Sequence, residues 1–184
     1  MSETAQPQRA RHDDTVVLFQ PGDLLENRFR IVREVARGGM GVVYEAEDQK
    51  LQRRIALKCA KSRHRERLTP EVRHATDIGH PNVCKIFEIH TAATDHGEID
   101  FITMEYLEGE TLSRRLHQGP IALPAARALA LQICAGVAEA HRKGVLHGDL
   151  KTANIILATE PDGGTRAVIT DFTPSRFVRL PKFS

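Results

Sequence analysis

Alternating apolar and polar positions predict a series of short strands in the first half of the chain. Residues 29–35, F-R-I-V-R-E-V, alternate apolar and charged side chains, which is typical of a half-buried strand. The same reasoning predicts strands at residues 42–46, 54–59, 83–90 and 99–105. Together they would form an antiparallel sheet of about five strands. One helix is predicted among them, with Thr69 as its N-cap, Pro70 at its first position and its end near residue 78.

Helical spacing of apolar residues dominates the second half of the chain. Residues 111–117 predict a short helix and residues 124–143 a long one, in which Leu129, Ile133 and Val137 share one face. A strand at residues 167–169 follows. The predicted divisions are therefore 1–26, a lead-in that is disordered over its polar first fourteen residues; 27–107, rich in strands; and 108–184, mostly helical.

Composition and charge narrow the class of protein. The 184 residues are 41% hydrophobic and 27% charged, as in a soluble globular domain, and the net charge of +2 gives no reason to expect a nucleic-acid partner. The three cysteines form no C-x-x-C pair, which argues against a disulfide framework or a zinc site. We find no apolar run of membrane-spanning length and no signal peptide, so we expect a cytoplasmic protein.

Residues 145–157, V-L-H-G-D-L-K-T-A-N-I-I-L, carry the most informative polar turn. Its side chains suit phosphoryl transfer: Asp149 could accept the proton of an attacking hydroxyl, Lys151 could neutralise phosphoryl charge, and Asn154 could hold a metal ion through its amide oxygen. We interpret His147 as a packed structural histidine. An ordinary polar turn between two buried segments is the alternative.

Two other segments have the character of an anion site. Glycines at 38, 39 and 41, between two strands, allow a sharp turn and close approach to an anion, although a plain hairpin turn would use them too. Lys58 lies inside the apolar strand at residues 54–59, where its ammonium group must find an anion or reach solvent.

Two acidic residues complete the candidate set. Asp171 follows the last apolar strand, and Glu71 lies in the first turn of the predicted helix, where an acid also suits the helix dipole.

The order and spacing of these segments resemble the protein-kinase domain, in particular bacterial serine/threonine kinases of the eukaryotic type. The resemblance extends over about residues 27–176. It rests on the glycine loop, the I-A-L-K strand, H-P-N, M-E-Y, H-G-D-L-K-x-x-N and D-F. It implies an α+β, protein-kinase-like fold: a small antiparallel-sheet N-lobe with one helix, and an incomplete helical C-lobe.

The resemblance also implies cofactors and roles. Mg-ATP would bind in the cleft between the lobes and donate its γ-phosphoryl group to a Ser or Thr hydroxyl of a protein substrate. Asp149, Lys151 and Asn154 would be catalytic, Asn154 and Asp171 would bind magnesium, and Glu71 would orient Lys58. Residues 105–107, which we call the hinge, would hold the adenine ring. The positions expected to contact ATP are Ala36, Gly38, Gly39, Gly41, Val43, Ala56, Lys58, Glu71, Met104, Glu105 and Leu107.

Several positions depart from the family pattern. Ala36 replaces the first glycine of the loop, Gly148 replaces an arginine, and Thr173 replaces the glycine of D-F-G. No A-P-E follows Asp171, so we interpret the sequence as truncated, with an exposed C-lobe surface through which it could self-associate. Two alternatives to an active protein kinase stay open: a pseudokinase that binds nucleotide or acts as a scaffold, and a small-molecule phosphotransferase of the choline or aminoglycoside type, which often carries H-G-D.

Overall fold

The computed structural model describes residues 19–38, 41–60, 76–94 and 97–172. These residues form nine strands, two α-helices and one 3₁₀ turn. The strands are β1 (Leu24–Leu25), β2 (Phe29–Gly38), β3 (Gly41–Asp48), β4 (Arg53–Ala60), β5 (Ile86–Thr94), β6 (Gly97–Glu105), β7 (Gly109–Thr111), β8 (Ile155–Thr159) and β9 (Thr165–Ile169). The helices are α1 (Leu112–His117) and α2 (Leu123–Arg142), and the 3₁₀ turn is Thr152–Asn154.

Strands β1 to β6 form one antiparallel sheet, in the order β1-β2-β3-β4-β6-β5, which we call the N-terminal sheet. Its four central strands lie where the alternating pattern predicts them. The prediction for β5 was three residues too early. Val83 bridges Ile169 instead, and the Cys84 amide donates to the Ile169 carbonyl at 2.8 Å, so these residues join β9 before β5 begins.

Large side chains fill the core beneath the N-terminal sheet. Phe29, Tyr44 and Phe101 are each at most 1% exposed, and the rings of Phe29 and Phe101 meet edge to face at 5.9 Å. Burying aromatic and aliphatic area of this kind is the main favourable term in folding. Leu25 belongs to the same core and Phe19 packs against it, so the described part of the lead-in lies on the sheet.

A second, three-stranded sheet, β7-β8-β9, is antiparallel and supports the polar turn of residues 145–154. We call it the C-terminal sheet. The hydrophobic pattern did not predict β7 or β8, since three to five residues give too few alternations. Helix α1 begins after Thr111, whose hydroxyl oxygen accepts from the Arg114 amide at 3.1 Å, as in an ordinary N-cap.

Helix α2 packs on β9 through its smallest residues. Gly136 and Ala140 are buried, while Leu129 and Ile133 are half-buried against the cluster of Leu112, Ile155 and Ala167. A Cβ atom at position 136 would come within 2.9 Å of the Asn82 carbonyl oxygen, so this close approach requires glycine.

The opposite face of α2 is exposed, and this alters one expectation. Leu123 is 80% and Leu131 61% exposed. Among the described residues, α2 has the length and composition of a helix that could cross a membrane, which the sequence analysis did not expect of any segment. Because α2 packs on β9 and is amphipathic, we assign it to the folded domain; self-association through its exposed face stays a prediction.

The helix predicted from Pro70 falls mostly outside the described residues, together with Glu71. At its expected end, Thr76 and Asp77 form a turn, and Ile78 is not helical. Ile78 is buried instead beside Val83, Ala140 and Val145. The prediction of helix up to residue 78 was therefore wrong for these three residues.

Candidate active site

The polar turn of residues 145–154 is held in shape by its own side chains. The Lys151 ammonium nitrogen lies 2.6 Å from a carboxylate oxygen of Asp149, and the Asn154 amide nitrogen donates to the Asp149 carbonyl at 2.8 Å and its carboxylate at 3.3 Å. The hydrogen bond from Lys151, above all, lowers the pKa of Asp149. Gly148 has φ of +80°, a left-handed conformation that glycine adopts without the penalty of a Cβ atom. The structure thus brings the three predicted catalytic residues together.

His147 anchors this turn to the segment after β9. Its Nε2 atom lies 2.8 Å from the Thr170 carbonyl oxygen, and its ring lies 4.6 Å from that of Phe172. Burial lowers the pKa of His147, so the ring is neutral near neutral pH and suited to a structural hydrogen bond.

Lys58 and Asp171 form an ion pair across the molecule. The ammonium nitrogen of Lys58, on β4, lies 2.6 Å from a carboxylate oxygen of Asp171, just after β9. Asp171 has φ of +58°, which is uncommon for a residue with a side chain and is often found at functional sites. The lysine in the apolar strand therefore has its anion, on a residue 113 positions away. Glu71, its predicted partner, lies outside the described residues.

A mainly apolar cavity opens between the two sheets, next to Asp171. Of the predicted nucleotide contacts, Ala36, Val43, Ala56, Met104, Glu105 and Leu107 line it, while Gly38, Gly41 and Lys58 do not. Gly38 pairs with Gly41 at the end of the β2–β3 hairpin, and Gly39, at its tip, lies outside the described residues. The sequence analysis missed six further lining residues, which are Val35, Cys84, Thr111, Ala153, Ile156 and Thr170. Tyr106, predicted only as part of the hinge, lines the cavity too.

Sheet register explains why distant residues share this cavity. Val43 on β3 pairs with Lys58 on β4, two residues from Ala56, and Ala56 pairs with Met104 on β6. The register of these three strands therefore places Val43, Ala56 and Met104 close together. Ile156 comes from β8, two residues after Asn154, and Cys84 from the segment bonded to Ile169. The apolar run I-I-L predicts a buried segment but does not single out Ile156, and no pattern in the sequence points to Cys84.

Asn154 and Asp171 offer oxygen ligands of the kind that magnesium prefers. The Asn154 amide nitrogen is used by Asp149, so the amide oxygen is the atom of this side chain that could act as a metal ligand. The Thr170 amide donates to the Asn154 carbonyl at 2.9 Å, so the residue before Asp171 is tied directly to Asn154. An amide oxygen and a carboxylate are donors that would suit a magnesium ion. Within the described part of the chain, no cluster of three His, Cys, Asp or Glu side chains forms a separate metal site.

Three features are those of a phosphotransferase cleft. They are a lysine on a central strand, an aspartate after the last strand, and an Asp-Lys-Asn turn that reaches the cavity between the sheets through Ala153. The family model described as "Protein kinase domain" matches residues 29–183. The chain belongs to this family and is a partial serine/threonine protein kinase domain of the bacterial type, with a protein-kinase-like fold.

Curated relatives agree with this assignment. The chain is 35% identical over 163 residues to the probable serine/threonine-protein kinase pknA2 of Bifidobacterium longum, covering 83% of this chain and 20% of that protein. It is also 35% identical over 163 residues to the serine/threonine-protein kinase pkn2 of Myxococcus xanthus, covering 84% and 19%. The chain thus spans about a fifth of the length of these relatives.

A solved structure shows the same fold. The crystal structure of the Mycobacterium tuberculosis PknI kinase domain superposes with a TM-score of 0.68 at 23% identity. The match covers 87% of this chain and 64% of that one. At this identity the likeness supports the fold and not the details of function.

Proposed function

We propose that the chain is the catalytic part of a cytoplasmic serine/threonine protein kinase, which transfers the γ-phosphoryl group of Mg-ATP to a Ser or Thr hydroxyl of a protein. The observation that carries the proposal is that Asp171 lines the cavity, pairs with Lys58, and is connected through Thr170 and Asn154 to the Asp149 turn. Free Cys59, Cys84 and Cys134 are consistent with a reducing compartment.

Each residue has a defined role in the proposed reaction. Lys58, which now pairs with Asp171, would exchange this partner for the α- and β-phosphates. Magnesium, held by Asn154 and Asp171, would neutralise phosphate charge. Asp149, whose pKa Lys151 lowers further, is ionised at neutral pH. Its carboxylate would orient the attacking hydroxyl and accept its proton as the new oxygen–phosphorus bond forms and the bond between the γ-phosphorus and the bridging oxygen of ATP breaks, with ADP as the leaving group. Lys151 then lies beside the transferred group.

The alternatives differ in how they relate to this site. Membership of the protein kinase family disfavours a small-molecule phosphotransferase, although His147-Gly148-Asp149 resembles one. A pseudokinase would keep the cavity and bind nucleotide without transfer. The chain keeps Lys58, Asp149 and Asp171, with Lys58 bound to Asp171 and Asp149 bound to Lys151. This favours a catalytic kinase over a pseudokinase.

The deciding experiment compares Asp149→Asn with wild type in transfer of labelled phosphate from Mg-ATP to a generic protein substrate such as casein. We expect kcat to fall by about 10²–10⁴-fold, the usual contribution of a positioned general base, with Mg-ATP affinity retained. Asp162→Asn, in the exposed turn between β8 and β9, is the matched control and should behave as wild type. Equal activity in the Asp149 variant would refute the assignment, whereas a wild type that binds Mg-ATP without transfer would be a pseudokinase.

A further inference from the structure

The side chain of Arg166, on β9, contacts three other parts of the chain, one of which is the hinge. Its guanidinium lies 2.7 Å from a carboxylate oxygen of Glu105, donates to the Pro81 carbonyl at 2.6 Å, and pairs with Glu160 after β8. The side chain is only 24% exposed. A planar guanidinium with several fixed donors is suited to holding segments in a set geometry, and an ammonium group is not.

Glu105 is the first hinge residue, and both its amide and its carboxylate are held. Its amide donates to the Lys85 carbonyl at 2.8 Å, and its carboxylate accepts from Arg166 and from the Lys85 amide, the latter at 3.4 Å. The Cys84 sulfur lies 3.8 Å from the Glu105 carbonyl oxygen, at the wall of the cavity. The backbone of Glu105 is thereby fixed where it meets the cavity.

The next hinge residue, Tyr106, is held by the N-terminal sheet. Its hydroxyl accepts from Arg33 at 2.8 Å, and the Arg54 guanidinium lies 4.4 Å above its ring. Both arginines pair with the buried carboxylate of Glu45, at 2.8 and 2.9 Å. Consecutive hinge residues are therefore bound by arginines from the two sheets, Tyr106 by the N-terminal one and Glu105 by the C-terminal one.

Given the function proposed above, we propose that Arg166 is a positioning residue that fixes the Glu105 peptide for recognition of the adenine ring of ATP. Backbone carbonyl and amide groups select a purine only if they stay in place, and preorganised groups bind more tightly because less order is lost on binding. Without Arg166, the carboxylates of Glu105 and Glu160 lose their shared cation, and their repulsion favours movement of the hinge.

The test uses Arg166→Met and Arg166→Lys, with Arg142→Met as the matched control. Arg142 also pairs with a glutamate, Glu139 on α2, but away from the hinge. For Arg166→Met we expect faster amide hydrogen exchange at residues 105–107 in the absence of nucleotide. We also expect calorimetric binding of Mg-ATP to weaken about five- to tenfold, with kcat at saturating ATP unchanged. Arg166→Lys should recover part of both effects, and Arg142→Met should show neither.

The two measurements separate this inference from the function on which it rests. Unchanged hinge exchange in Arg166→Met, or faster exchange with unchanged Mg-ATP affinity, would overturn the positioning role while leaving the kinase proposal intact. A wild type that does not bind Mg-ATP would overturn the kinase proposal and the purine role together. Equal losses in kcat for both Arg166 variants would also contradict the positioning role of Arg166, because they would indicate general damage to the fold.

Discussion

Packing holds Lys58 in place, whereas hydrogen bonds hold Asp149. Lys58 lies on β4 between Leu57 and Cys59, which are 0% and 3% exposed and belong to the aromatic core of the N-terminal sheet. The Asp149 turn depends instead on Asn154, on His147 and on the Thr170 backbone. Apolar burial has no directional requirement, but hydrogen bonds weaken steeply as their angle departs from linearity. The catalytic turn is therefore the half of the site more sensitive to its surroundings.

The largest expected change in stability concerns the apolar core of the N-terminal sheet, which holds Lys58 in place. Phe101→Ala removes a ring that is 0% exposed and in contact with Phe29 and His90, and we expect it to lower the free energy of unfolding by about 3–5 kcal/mol. Leu131→Ala, on the exposed face of α2, should change it by about 0.5 kcal/mol at most. Urea titration of both variants provides the measurement. Equal destabilisation would mean that α2 is covered in solution and that the contrast between the two halves is wrong.

A smaller change in stability is expected from the hydrogen bonds that join β9 to α2, on the side of the molecule that carries the catalytic turn. Asn82 is 8% exposed and donates from its amide nitrogen to the Ala167 carbonyl at 2.8 Å and to the Gln132 amide oxygen at 3.0 Å, joining β9 to α2. Asn82→Ala leaves these acceptors without that donor, and we expect a loss of about 1–3 kcal/mol in thermal or urea unfolding. Gln118→Ala, which removes a surface hydrogen bond to Glu110, is the control and should be nearly neutral. A neutral Asn82→Ala would show that this network does not support β9.

The smallest expected effect is the pH dependence contributed by His147. Because burial lowers its pKa in the folded state, the unfolded chain binds a proton first as the pH falls. Its contribution to stability is intact above the ordinary histidine pKa of about 6.5 and is lost as the pH falls from there through the lowered value. His147→Asn should therefore flatten the stability profile between about pH 7 and pH 5. The same replacement at exposed His117 serves as control, and equal slopes in wild type and His147→Asn would contradict the prediction.

The four central strands of the N-terminal sheet were predictable because each is at least eight residues long and carries a recognisable pattern of apolar residues. The departures have local causes: Val83 and Cys84 bond to β9 before β5 begins, and β7 and β8 are too short to show a period. Within the site, Asp149, Lys151 and Asn154 lie on one turn, so their proximity followed from the sequence alone. The roles assigned to the site residues, including Glu71 and Gly39, stay predictions.

The sequence by itself determined which chemical groups this protein carries and in what order, because strand alternation, turn residues and motif spacing are local properties. Only the tertiary structure decided which of them meet. Lys58 pairs with Asp171 across 113 positions, and Glu105 with Arg166 across 61. Such contacts follow from sheet register and from the way the two sheets face each other, and no local pattern encodes them. For that reason the hinge arginine was visible only in the folded molecule, although the catalytic turn was visible in the sequence.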